Sequence, residues 1–251
     1  MKNSLFTVTV KCGLPIVLAS ISYASYATEW NADLGLSVLG EQSHVYGEEN
    51  KAEIRPYLNL EYGMFIVGPE GLGVSGKVGN NDQLSAVLVM RESVIDRDEN
   101  ELLKHFEKRD DATELAFQWT HFTPFVDLTA ALSSDVSDTH EGYEAKFMLS
   151  KKLDTDVGAF IPAVAIQHQS EELVDYYYGV RAGEATSRFA AYKGKAATNA
   201  NASITHVYPI TTEWHVATRL AYDHLGEGIS DSPIVERSGY WSGAMSVFYR
   251  F

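Results

Sequence analysis

The chain ends in a stretch that few folds can use, G-Y-W-S-G-A-M-S-V-F-Y-R-F from Gly239 to Phe251. Counting back from Phe251, every second residue is apolar, aromatic or Gly: Tyr249, Val247, Met245, Gly243 and Trp241. Arg250, Ser246 and Ser242 take the opposite face. A period of two is a strand, not a helix. With aromatic residues crowded at its ends, one such face suits lipid and the other a polar interior, the pattern of a membrane-spanning β-barrel. The competing reading is the last strand of a soluble β-sandwich, and the rest of the chain must decide.

The first residues carry Lys2 and Lys11, an apolar run from Gly13 to Ile21, then Ser25-Tyr26-Ala27. This is the layout of a secretory leader, expected over residues 1–27 with cleavage after Ala27. The apolar run is too short to cross about 30 Å of hydrocarbon as a helix. Cys12, the single cysteine, lies inside that leader with no lipobox before it. Residues 28–251 then offer neither a disulfide framework nor a thiolate metal site. Without Lys2 and Lys11 the 20 basic residues fall to 18 against 34 acids, a net charge of −16. Such a chain repels polyanions, so nucleic acid is excluded as a partner. The acids crowd into expected loops, where they serve solubility, and a cation-attracting lumen is the sharper alternative.

No later segment approaches the roughly 18 consecutive apolar residues of a transmembrane helix. Instead, alternation recurs. Trp30, Ala32, Leu34, Leu36 and Val38 oppose Asn31, Asp33, Gly35 and Ser37; Ile54, Pro56, Leu58 and Leu60 oppose Arg55, Tyr57 and Asn59. Pro56 places its strand near an edge of the ladder or at a bulge. Gly79-Asn80-Asn81-Asp82 turns a hairpin between 72–79 and 83–92. Strands follow over 113–121, 125–134, 141–150, 157–168 and 194–206, the register of 157–168 being open because both its faces are partly apolar. In 213–223, Trp214, Val216, Thr218, Leu220 and Tyr222 oppose His215, Arg219 and Asp223, and an Arg219 facing lipid would cost about 2–4 kcal/mol near the midplane. The charged run from Ser93 to Asp111 is expected as a long loop with a short helix near Leu102 and Phe106.

These runs total eleven, whereas bacterial single-chain barrels have even counts. Met64 to Val67 supplies the missing strand. The expected fold is therefore all-β: a transmembrane antiparallel up-and-down β-barrel of twelve strands, with ten as the alternative count. Short connections near His121 to Pro124, Lys151 to Asp156 and Tyr208 to Thr211 then share one end, and the long ones share the other, as periplasmic turns and outer loops do. Tyr249 and the terminal Phe251 resemble the C-terminal signal read by the bacterial outer-membrane insertion machinery. The expected location is the cell outer membrane, with its lipid and that machinery as partners.

Two loop motifs stand out: Asp175-Tyr176-Tyr177-Tyr178-Gly179-Val180 with Glu184-Ala185 following, and Asp231-Ser232-Pro233-Ile234-Val235. With Asp135-Val136-Ser137, Gly142 and the closing Tyr249-Arg250-Phe251, they resemble the MltA-interacting protein (MipA)/OmpV family of outer-membrane proteins. That resemblance implies an outer-membrane barrel. It also implies a role as scaffold between a murein transglycosylase and a murein synthase, a porin-like channel or a surface adhesin. Read from the residues alone, the tyrosine loop is a plug or rim held by aromatic area, with Asp175 on backbone amides. Asp231-Ser232-Pro233 is a turn.

Catalysis has little support. His168, His206, His215 and His224 lie on or near strands, but no Gly-x-Ser-x-Gly or His-x-x-x-His occurs. The expectation is a non-enzymatic barrel without metal or cofactor.

Overall fold

The computed structural model describes residues 30–69, 71–97 and 100–251. The expected leader, 1–27, lies outside the described residues. The described strands form one antiparallel sheet: β1 (Trp30–Glu41), β2 (Lys51–Tyr62), β3 (Phe65–Gly68), β4 (Gly71–Val78), β5 (Asp82–Arg91), β6 (Ala112–His121), β7 (Asp127–Asp135), β8 (Tyr143–Ser150), β9 (Leu153–Thr155), β10 (Gly158–Gln169), β11 (Ala197–Pro209), β12 (Trp214–His224) and β13 (Gly239–Arg250). β8 and β9 both pair with β10 and are two parts of one interrupted strand. β1 pairs with β2 on one side and β13 on the other, which closes a twelve-stranded barrel. Closure pairs the strands on both sides apart from the stretch of β2 and β5 above the short β3, which meets most of the demand that hydrocarbon makes of a sheet.

Side-chain direction follows the alternation in the sequence. On β12, Trp214, Leu220 and Tyr222 point outward and are exposed, while His215, Ala217, Ala221 and Asp223 are buried. On β1, Leu34, Leu36 and Val38 are exposed while Asp33 and Ser37 are buried. The open register of β10 resolves with Pro162, Val164, Ile166 and His168 outward and Ile161, Ala165 and Gln169 buried. Its inner face reads as partly apolar because Ala159, Ile161, Ala163 and Ala165 lie on it beside Gln167 and Gln169.

The turn end is tight. Gly63 and Gly79 adopt φ of +60° and +68° in the β2–β3 and β4–β5 turns, conformations that glycine accepts without strain. The expected turn over Lys151 to Asp156 is corrected. Leu153–Thr155 stays in the ladder as β9, leaving only Asp156 and Val157 as the turn. Lys151 turns inward at the interruption, with Nζ 2.6 Å from the Thr123 carbonyl and 3.2 Å from Asp127 Oδ1. The long segments gather at the opposite end. The expected helix near Leu102 and Phe106 is also corrected: residues 101–105 form successive turns, with the Leu103 and Phe106 amides donating to the Asn100 and Leu103 carbonyls. Asn100 Oδ1 also accepts from the Leu102 and Leu103 amides, a side-chain competition that favours a turn over a helix. Helices occur instead at α1 (Glu171–Tyr178) and α2 (Glu227–Ser230), in the β10–β11 and β12–β13 connections.

Candidate functional site

The tyrosine motif forms α1. Ser170 caps its first turn by accepting from the Leu173 amide, and Glu171 and Glu172 sit where the helix dipole favours negative charge. The buried face of α1, Leu173, Val174, Tyr177 and Tyr178, packs with Phe189 of the same connection and with Val45, Leu103, Phe106, Ile229 and Ile234 from the other long loops. Fully burying each such side chain stabilises by about 1.5–3 kcal/mol, so the loops form a small core of their own, a lid across the barrel mouth.

Each motif residue has a separate task in that lid. Asp175 Oδ1 accepts from the Gly194 amide at 2.6 Å, tying the two ends of the β10–β11 segment together, while its carbonyl accepts from the Gly179 amide at 2.9 Å at the end of α1. The Tyr176 hydroxyl accepts from the Asp110 amide, and that of Tyr177 donates to the Asp110 carbonyl. Tyr178 lies 3.1 Å from His44 Nε2, and its carbonyl accepts from Ser232 Oγ at 2.6 Å. Burial pushes the Tyr178 hydroxyl above its ordinary range, so it remains a protonated donor. Asp231 ends α2, and Ser232 and Pro233 follow in the turn.

Sequence reasoning missed the strongest clamp. Arg109 donates to both Glu184 oxygens at 2.9 Å, and from Nη2 to the Gly179 carbonyl at 3.3 Å. The paired side chains are only 1% and 3% exposed. Glu184 also accepts from the Glu107 and Arg181 amides. Burial alone would raise its carboxyl, but the bonds from Arg109 and the Arg181 amide outweigh it and hold the group below its ordinary range. The missed His44 stacks on Tyr240 with ring centres 4.6 Å apart. Burial, with Lys51 and Arg237 nearby, lowers it to about 4.

Beneath the lid lies a cavity of about 350 Å³, roofed by Tyr178 and Tyr240. Its wall carries eight carboxylates and five lysines or arginines, so the interior is mixed in charge with acid in excess. Many are cross-linked: Arg91 bridges Glu114 and Glu144, and Arg55 bridges Glu53 and Glu92. The cavity stops at the level of Leu39, Arg219 and Ala244. Below it the inward residues Ser37, Thr205, Ala217 and Ser246 are buried, and Tyr57, Phe248 and His215 stack. Arg250 pairs with Asp33 at 2.8 Å through two nitrogens. Packed loops thus lie over one end of the lumen, and an aromatic stack fills it towards the other. Among the described residues, no group of three or more His, Cys, Asp or Glu could hold a metal ion.

Tyr249 and Phe251 lie at the base of the last strand. Their rings meet edge to face at 4.7 Å, and the Phe251 amide donates to the Ala32 carbonyl.

Residues 34–251, nearly the whole described barrel, match the family model of the MltA-interacting protein MipA. The chain belongs to the MipA family. Among its relatives, the YiaT protein of Escherichia coli (strain K12) is 23% identical over 239 residues, covering 94% of this chain and 97% of that protein. The outer membrane protein OmpV of Vibrio cholerae is 27% identical over 176 residues, or 70% of this chain and 68% of its own. The MltA-interacting protein of Escherichia coli is 25% identical over 152 residues, or 59% of this chain and 60% of its own. Family membership and the closed barrel together make this an outer-membrane protein of the MipA/OmpV type.

Proposed function

We propose that this chain is a non-enzymatic docking barrel, a scaffold that holds murein-remodelling enzymes at the inner face of the outer membrane. The packing of loops and stacked rings into the lumen carries this reading, in which the barrel is closed. A barrel sealed by a packed lid and an aromatic plug offers a surface where an open porin offers a path. The name of the MltA-interacting protein supports a murein transglycosylase as the class of partner, with a synthase as the second enzyme that a scaffold would join.

The docking surface is the turn end, the end that faces the periplasm in bacterial barrels. Its tips carry apolar side chains in water-accessible positions: Phe125 is 88% exposed, and Met64, Val157 and Ile210 each more than half. The test is in-cell crosslinking and affinity capture of the tagged barrel, followed by mass spectrometry. Recovery of a murein transglycosylase or synthase above an unrelated barrel supports docking, and a Phe125→Ser, Ile210→Ser variant then reduces it several-fold. Recovery of insertion machinery alone refutes it.

One observation favours a second reading, a cation-preferring channel: the acid excess of the cavity wall, which would select cations if the lid opened. An adhesin acting through the outer loops is the third, and loop deletions that leave surface binding unchanged would remove it.

A further inference from the structure

The barrel wall is not complete at every height. β3 has four residues and pairs with β2 only from Leu60 to Tyr62. Along Lys51 to Asn59 no described strand pairs with β2 on that side, a length of roughly 30 Å at about 3.4 Å per residue. Across the same notch, β4 reaches β5 only as far as the Leu72–Leu88 pair, and Val89 to Arg91 pair with β6 alone. Pro56, a residue without an N–H to leave unpaired, sits in this stretch of β2.

The notch lies within the lipid-facing band and not above it. Pro56 and Ile54 pair with the outward residues Leu36 and Val38 of β1, and Ile54 is 75% exposed. Leu88 and Met90 flank the other side, also exposed. The cavity under the lid reaches the notch, since both its edges (Glu53, Arg55, Val89) and the β3–β4 hairpin (Pro69, Gly71) line it. Arg55 crosses from β2 to Glu92 at the end of β5, with Nη2 3.4 Å from the carboxylate, and bars the notch with a charged pair instead of backbone. An open backbone edge in hydrocarbon is costly unless polar groups meet it.

We infer that this notch is a lateral portal joining the capped lumen to the outer leaflet, and that the chamber takes the polar head of a zwitterionic, single-chain amphiphile. The head lies among the mixed charges of the cavity, and its chain leaves between Ile54 and Met90 into lipid. About 350 Å³ is at the small end of ligand pockets, enough for a head and not for a whole lipid. The acid excess disfavours an anionic head and suits the cationic half of a zwitterion, whose negative half lies towards Lys51. This goes beyond docking at the turn end and stands without it.

Since Cys12 is the single cysteine, residues 28–251 are a clean background for thiol chemistry. Val89→Cys places a thiol inside the portal, and Ser246→Cys places one in the filled lower lumen as an inert control. Both barrels are reconstituted in liposomes and checked for heat-modifiable migration. Each is then treated with a maleimide bearing a dodecyl chain or one bearing a sulfonate. The portal is supported if Val89→Cys reacts at least ten-fold faster with the dodecyl reagent, and if palmitoyl lysophosphatidylcholine in the liposome slows that reaction several-fold. Equal or faster reaction with the sulfonate, or reaction no faster than the Ser246→Cys control, overturns the portal. Labelling that lysophosphatidylcholine leaves unchanged overturns the ligand class.

Discussion

Tyr57 and Phe248 stack at 4.6 Å across a single residue of the strand between them, Gly35, which both face in register. A Cβ on Gly35 would run into the Val247 carbonyl oxygen and lie 2.6 Å from Phe248 Cα, so the glycine is what lets β13 approach β1 this closely and the rings meet across it. The plug therefore depends on three strands at one height. Phe248→Ala removes its fully buried ring and is expected to cost about 3–5 kcal/mol, read from urea unfolding in liposomes. Gly35→Val must push the β13 backbone aside and costs at least about 1–3 kcal/mol by overpacking.

The lid has its own weak point. Removing one partner of the buried Arg109–Glu184 pair leaves an uncompensated charge, a loss of about 3–5 kcal/mol. Arg109→Met should leave the barrel assembled yet make the β5–β6 and β10–β11 loops cleavable by added protease. The double variant Arg109→Met, Glu184→Leu removes both charges and should recover much of the resistance.

His44 gives the lid an acid response. Its value of about 4 in the lid lies below the ordinary 6.5, so an opened lid binds the proton more tightly and lid stability falls with pH across that interval. The shift is worth roughly 3 kcal/mol at its lower end. Proteolysis of the outer loops should accelerate between pH 6.5 and 4, and His44→Phe should flatten that slope. Glu184, held low by Arg109, contributes in the same sense only as pH falls below the ordinary carboxylate range, because its stabilisation is present above that range.

The terminal aromatic is expected to matter for assembly more than for stability. Phe251 is 70% exposed, so its deletion should change unfolding in lipid by less than about 1 kcal/mol. It should still lower the amount of heat-modifiable barrel in the outer membrane several-fold, the outcome expected if Phe251 belongs to a signal that the insertion machinery reads before the fold exists.

How much of this was legible depends on the range of the forces involved. The strands β1, β2, β12 and β13 could be read because lipid on one side and a polar lumen on the other enforce a period of two. The inner alanines of β10 blurred that signal. α1 carried its own signs, Ser170 before Glu171-Glu172 and Gly179 just past its end, but three β-favouring tyrosines masked them. The tasks of those tyrosines, the Arg109–Glu184 clamp and the Tyr57–Phe248 stack join residues 54 or more positions apart, and no local pattern announces them. The shortness of β3 was visible, but the notch it leaves also depends on how far β5 runs past β4.

The central claim is that the barrel is closed, and planar-bilayer recording of the purified protein tests it most directly. The wild type should be electrically silent, while a variant lacking the α1 segment and carrying Phe248→Ala should show steady, cation-selective steps. Steady ohmic conductance from the wild type would contradict the account, because no packed lid and plug could then be sealing the lumen.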